Sequence, residues 1–144
     1  HPGEMARLTG LDPNQISSDR PTVALEFARK TGCSVLLKGA PSLVASPTDG
    51  LLVDTVGSSD LAAAGMGDVL SGAVSAFLAQ GSSPPEAAAL GLYSSGRAAV
   101  RAGLGVSLTP EDVVERLPEA LREEGDGHTD LEFPFVLFDQ DPAR

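Results

Sequence analysis

The hydrophobic period of this chain changes at a glycine pair, and that change restricts the folds open to it. Before the pair, "CSVLLKG" at 33–39 reads as a buried strand, and "PSLVASPTDGLLVDT" at 41–55 reads as two short strands. The turn between those strands falls at residues 47–50, where Asp49-Gly50 supplies the turn chemistry. After Gly67, Val69, Leu70, Ala73, Val74, Phe77 and Leu78 recur at helical spacing up to Gly81, which predicts a helix with a buried apolar face. A second helix is predicted over Pro84–Ala102. A third starts at Thr109, with Pro110 at the first helical position and Asp112 completing a Thr-x-x-Asp cap; Pro118 is expected to kink or divide it.

Ahead of the strands, the Pro-Gly of "HPGEMARLTG" leads into a short helix. Residues 19–30 form a longer one, with Val23, Ala24, Phe27 and Ala28 on one face and Gly32 as its stop. Helices, then strands, then a helical half predict an α/β sandwich lacking its N-terminal portion, in keeping with a chain that opens without Met. Acidic, glycine-containing "REEGDGHTD" at 122–130 reads as a linker. The following "LEFPFVLFDQDPAR" gathers three of the five phenylalanines and is expected to dock on the body or on a neighbouring subunit.

Composition excludes several functions. One cysteine, Cys33, permits no internal disulfide and reads as a core residue; with only His1 and His128 there is no Cys/His cluster spaced for zinc. Net charge is −10, from 20 acidic and 10 basic residues, which opposes nucleic acid and anionic membrane surfaces as partners. No membrane span or signal segment is visible, so a cytoplasmic setting is expected. An anionic ligand must therefore be held locally, by backbone dipoles and a few cations.

Such a place is offered by "LAAAGMGDVLSG" at 61–72. The P-loop pattern is absent, and Leu70 stands where a G-x-G-x-x-G fingerprint needs its last glycine. Gly65 and Gly67 remain, at the mouth of a helix, where glycine presents backbone N–H to an anion without a Cβ in the way. Asp68 has two readings: an N-cap whose carboxylate accepts a first-turn N–H, or an acid that does chemistry beside a bound anion.

Three stretches in order carry a resemblance: "HPGE" at 1–4, "LKGAPS" at 37–42, and "AGMGDVLSG" at 64–72 followed by "LAQG". Together they resemble the motifs of the ADP-dependent NAD(P)H-hydrate dehydratase family of the ribokinase-like superfamily, and "TPEDVVERLPEAL" at 109–121 is similar too. The resemblance implies a ribokinase-like three-layer α/β/α sandwich. Residues 1–124 would be its C-terminal part, the N-terminal half of the same domain would be missing, and 125–144 would be linker and tail. By resemblance, His1 and Asp68 face the hydrated nicotinamide nucleotide (NADHX or NADPHX). Lys38, Gly39, Ala40, Pro41 and Ser42 lie along an adenine nucleotide, which Gly67 also touches, and Gly65 adds to that nucleotide site. Implied cofactors are ADP as co-substrate and Mg2+ on its phosphates, with no all-protein metal site. A homo-oligomer is expected.

Two departures stand out. Relatives carry Thr-Gly-Gly where this chain has Ala63, Ala64 and Gly65, and His-Gly where it has Ser95-Gly96. Plainer roles also exist: a solvated rim charge for Lys38, a frayed end for His1, a helix-dipole partner for Glu4 and an edge hydroxyl for Ser42. The implied reaction repairs hydrated NAD(P)H, with Asp68 as general base and the N–H groups of residues 65–67 stabilising the transferring phosphoryl group. Alternatives are a ribokinase-like kinase of a small alcohol, such as a hydroxymethylpyrimidine or a hydroxyethylthiazole, and a non-catalytic nucleotide-binding module.

Overall fold

A computed structural model describes residues 1–122 and 135–138. These divide into two compact units, one formed by His1–Asp54 with residues 135–138 and the other by residues 55–122.

The first unit opens with helix α1, Pro2–Thr9, capped by the His1 side chain and closed by Gly10 in the left-handed region. Helix α2, Pro13–Ser18, follows. It was not anticipated from its sequence, although its signal is there: Asp12 accepts from the Asn14 N–H at 2.8 Å while Gln15 accepts from the Asp12 N–H at 2.9 Å, with Pro13 in the first turn. Helix α3 covers Arg20–Thr31, one residue offset from the expected 19–30, with Asp19 as N-cap and Gly32 as the left-handed C-cap. Its buried face of Ala24, Leu25 and Ala28 packs on the sheet.

Strand β1 is only Val35–Leu37, β2 is Leu43–Ser46 and β3 is Gly50–Asp54. β2 and β3 form the expected hairpin in antiparallel register, from Leu43 opposite Val53 to Ser46 opposite Gly50. All four β2 residues are buried. Cys33 departs from expectation: it lies before β1 and is an exposed free thiol, because the strand begins two residues later and only its last residue, Leu37, is fully buried. The tail supplies strand β4, Phe135–Phe138, antiparallel to β3, so the sheet order is β1-β2-β3-β4. The expected linker falls, apart from Arg122, outside the described residues. Met5, Ile16, Leu37, Leu43 and Leu51 centre the core of this unit, and burying each large aliphatic stabilises by about 1.5–3 kcal/mol.

In the second unit a 3₁₀ turn at Ser59–Ala62 precedes helix α4, Met66–Ala79. Helix α5 spans Pro84–Ala102, with the expected bounds, and helix α6 spans Pro110–Leu121. Pro118 lies inside α6 without dividing it. α4 and α5 approach closely at Gly91, where a Cβ would come within 2.6 Å of Val74 Cγ2. The core gathers Met66, Ala98, Ala99, Leu108, Val113 and Ala120. Contrary to expectation, the apolar face of α4 is not buried: Met66 alone is, Val69, Leu70, Val74 and Phe77 are half-covered and Leu78 is exposed. α5 approaches this face at Gly91, beside Val74 and Leu70. Among the described residues no helix is long and apolar enough to cross a membrane.

Candidate active site

In the first unit, His1 is the N-cap of α1: its Nδ1 accepts from the Gly3 N–H at 3.1 Å. With Nδ1 engaged by that bond, Nε2 is the ring nitrogen left to meet a ligand. Glu4, in the first turn of α1, lies 3.9 Å from Lys38 Nζ. The two ends of the resemblance in this unit are thus brought together by an exposed ion pair that sequence reasoning missed. Its worth in stability is small, as for exposed pairs generally.

Lys38 follows β1 directly and leads into an exposed bend at Gly39, Ala40 and Pro41, joined by a cis Ala40–Pro41 peptide. Ser42 closes the bend. Its hydroxyl donates to the Gly39 carbonyl at 3.1 Å and lies 3.4 Å from the Gly39 N–H, and its carbonyl accepts from the Asp54 N–H at 2.9 Å. Ser42 is therefore an internal tie of the loop rather than a loose edge hydroxyl. Arg20 also reaches this loop: its Nη2 donates to the carbonyls of Leu37, Lys38 and Pro41 at 3.3, 3.3 and 2.8 Å.

In the second unit, the N-cap of α4 is Gly65, at φ 87°. That left-handed conformation favours glycine. Asp68 is therefore not the N-cap but the third residue of the helix, and its side chain makes no capping bond. The helix starts three residues earlier than the N-cap reading of Asp68 places it, with Gly65 as its cap. Met66 donates its N–H to Ala63, and Asp68 and Val69 both donate to the Gly65 carbonyl. Among the described residues, the Gly67 N–H has no acceptor. Gly67 is half-exposed and Asp68 exposed. An unpaired first-turn donor at the positive end of a helix, one residue before an unengaged carboxylate, suits an anion with a proton acceptor beside it.

The two departures have structural readings. Ala63 and Ala64 occupy the exposed link between the 3₁₀ turn and Gly65. Ser95 and Gly96 are buried in α5; among the described residues the Ser95 hydroxyl has no partner, and a Cβ on Gly96 would come within 2.8 Å of Val56 Cγ1. The glycine of that pair is thus required by close packing, which its sequence position alone does not reveal.

The chain thus presents a hydroxyl-tied loop after a strand and a glycine-capped helix followed by an acid, within an α/β protein. A family model described as NAD(P)H-hydrate dehydratase matches residues 1–119. The chain belongs to the NAD(P)H-hydrate dehydratase family. It is 39% identical over 125 residues to the bifunctional NAD(P)H-hydrate repair enzyme Nnr of Moorella thermoacetica, covering 85% of this chain and 24% of that one. To the ADP-dependent (S)-NAD(P)H-hydrate dehydratase of Neisseria meningitidis it is 42% identical over 99 residues, 69% of this chain and 33% of the other. Among solved structures, a Bacillus subtilis member of the UPF0031 family superimposes with TM-score 0.78 at 28% identity, over 85% of this chain and 47% of its own. The ADP/ATP-dependent NAD(P)H-hydrate dehydratase of the same organism, co-crystallised with ATP/Mg2+, gives TM-score 0.75 at 27% identity, over 85% and 45%. These neighbours share the ribokinase-like α/β fold expected from the sequence. The chain spans about a quarter to a third of these curated relatives.

Proposed function

We propose that this chain forms part of an ADP-dependent dehydratase that restores NAD(P)H from its hydrated form, releasing AMP and phosphate. The observation that carries the reading is the mouth of α4, where, among the described residues, the Gly67 N–H lacks an acceptor and the Asp68 carboxylate caps nothing. The family match and the relatives' printed activities support it.

In the hydrated nicotinamide a hydroxyl occupies the ring carbon next to the ring nitrogen, and hydroxide is a poor leaving group. Asp68 accepts the hydroxyl proton as that oxygen attacks the terminal phosphorus of ADP, and AMP departs. The Gly67 N–H stabilises the charge on the transferring phosphoryl group. The ring nitrogen's lone pair then expels phosphate, and loss of the neighbouring ring proton restores the reduced nicotinamide. His1 contacts the nicotinamide nucleotide through Nε2, while Lys38, Gly39, Ala40, Pro41 and Ser42 line the adenine nucleotide. Mg2+, bound through the ADP phosphates, would offset their charge. Residues 1–124 form the dehydratase portion, 125–144 the linker and tail, and the assembled enzyme is a homo-oligomer.

The test is turnover by the full-length gene product given ADP and hydrated NADH. Recovery of reduced-nicotinamide absorbance with one AMP and one phosphate per NADH is expected. Phosphorylation of a small alcohol by ATP without such recovery would instead identify a kinase. Nucleotide binding without turnover of either substrate would identify a binding module.

A further inference from the structure

We propose that Arg20 is the positioning residue of the nucleotide loop, fixing its carbonyl side so that the rest of Lys38–Ser42 is presented to the ligand. The proposal rests on the assignment of that loop to the adenine nucleotide. Arg20 is the first residue of α3, where a cation opposes the positive end of the helix dipole. Its position there is explained by what the side chain reaches. Nη2 donates to three carbonyls, those of Leu37, Lys38 and Pro41, at both ends of the bend. One planar donor group thus spans the loop from the end of β1 to the residue before Ser42.

Three further observations set Arg20 apart from an ordinary surface cation. It is half-buried, and burial pulls its guanidinium below the ordinary value while leaving it charged at neutral pH. Among the described residues no carboxylate pairs with it, and its Nε is buried without an acceptor. A guanidinium held only by carbonyl dipoles leaves positive charge uncompensated beside Lys38, in a chain of net charge −10. Gly39 belongs to the same device: a Cβ there would lie 2.5 Å from Arg20 Cζ and 2.9 Å from Nη1, so the absence of a side chain lets the guanidinium sit under the loop.

Arg20→Met keeps the stem and removes both charge and donors. In the full-length gene product it is expected to raise KM for ADP about tenfold, the worth of one charge-assisted hydrogen bond, with kcat and the KM for hydrated NADH within about twofold of the parent. A merely structural arginine would lower the melting temperature and the active fraction, and therefore kcat, at unchanged KM for ADP; that result overturns the proposal. Arg20→Lys, which retains charge and three donors, is expected to recover at least half of the lost affinity on a logarithmic scale and keeps the test open if the methionine variant does not fold. Gly39→Ala should displace the guanidinium, so its effect on KM for ADP should largely vanish in an Arg20→Met background; full additivity overturns the coupling. Lys38→Ala separates the two levels. If it weakens ADP binding while the Arg20 variants do not, only the role of Arg20 fails. If Lys38→Ala and Gly39→Ala both bind ADP as the parent does, the nucleotide assignment fails and this proposal with it.

Discussion

Asp68 shows how much one residue's position in a helix decides. As an N-cap it could be replaced by asparagine at little cost, because both side chains accept the same first-turn N–H. It is instead the third helical residue and makes no capping bond. Asparagine cannot take up a proton, so Asp68→Asn in the full-length protein is expected to lower turnover by roughly 10²- to 10⁴-fold with ADP still bound and the melting temperature little changed. Parent-like turnover by a folded, ADP-binding Asn variant would remove the general base from the proposed mechanism. Gly67→Val addresses the neighbouring donor. A branched side chain beside the unpaired N–H should obstruct a phosphate and weaken ADP binding measured by calorimetry, whereas Ser42→Ala, which unties the loop without filling it, should do less. Unchanged ADP affinity in a folded Gly67→Val protein would mean that no anion sits there. Gly65→Ala bears on stability instead. Its Cβ would meet Pro110 Cγ at 3.0 Å, at a φ of +87°, and a side chain held in the left-handed region costs about 1–2 kcal/mol. Chemical denaturation reads that loss directly.

At the scale of elements, helix starts carry much of the local order. α6 begins with a reciprocal cap in which the Asp112 N–H donates to Thr109 Oγ1 and the Thr109 N–H and hydroxyl both donate to Asp112 Oδ2, at 2.8 and 2.7 Å. Thr109→Ala is therefore expected to cost about 0.5–2 kcal/mol in equilibrium unfolding. The same cap makes stability depend on pH. Hydrogen bonds from the Thr109 side chain and then its backbone hold the Asp112 carboxyl below the ordinary aspartate value. A depressed folded-state pKa contributes stability that is complete above the unfolded value and is lost as pH falls through the folded one. Melting temperatures of the parent should thus fall more steeply on acidification through that range than those of Asp112→Asn; equal slopes would mean the cap is not formed. Glu86 makes the corresponding bonds to Ser83 at the start of α5, at 2.9 Å from the backbone N–H and 2.6 Å from the hydroxyl. α4 differs from both: it opens on a glycine with no side-chain cap, and among the described residues the Gly67 N–H of its first turn has no acceptor.

At the scale of the molecule, apolar surface remains uncovered. Leu78 on α4 is 43% exposed, and Leu90 and Val100 on α5 are 40% and 61% exposed. Residues 1–144 alone are therefore expected to self-associate and to show no turnover of hydrated NADH, because apolar faces of this kind mark surfaces that meet other protein. Light scattering and the absorbance assay check this together. A monomeric, fully active 144-residue polypeptide would show that these faces need no cover and that the site is complete within this span.

Local chemistry made much of this legible in the sequence, because a capping pattern, a proline at the first helical position or a glycine stop acts over one turn of chain. The bounds of α5, the Thr109 cap, the Gly32 stop and the β2–β3 hairpin were readable for that reason. The ordered motifs around His1, Lys38 and Gly67-Asp68 identified the family in the same way. Other features depend on what the folded chain sets beside a residue, and no sequence window contains them. Cys33 is exposed because β1 starts two residues after it. The face of α4 is only half-covered, and Gly96 packs against Val56, forty positions away. Only tertiary structure could bring Arg20 to the carbonyls of residues 37, 38 and 41. Packing α3 on the sheet supplies that contact: helix and loop are far apart along the chain, and the sheet sets the one at the end of the other.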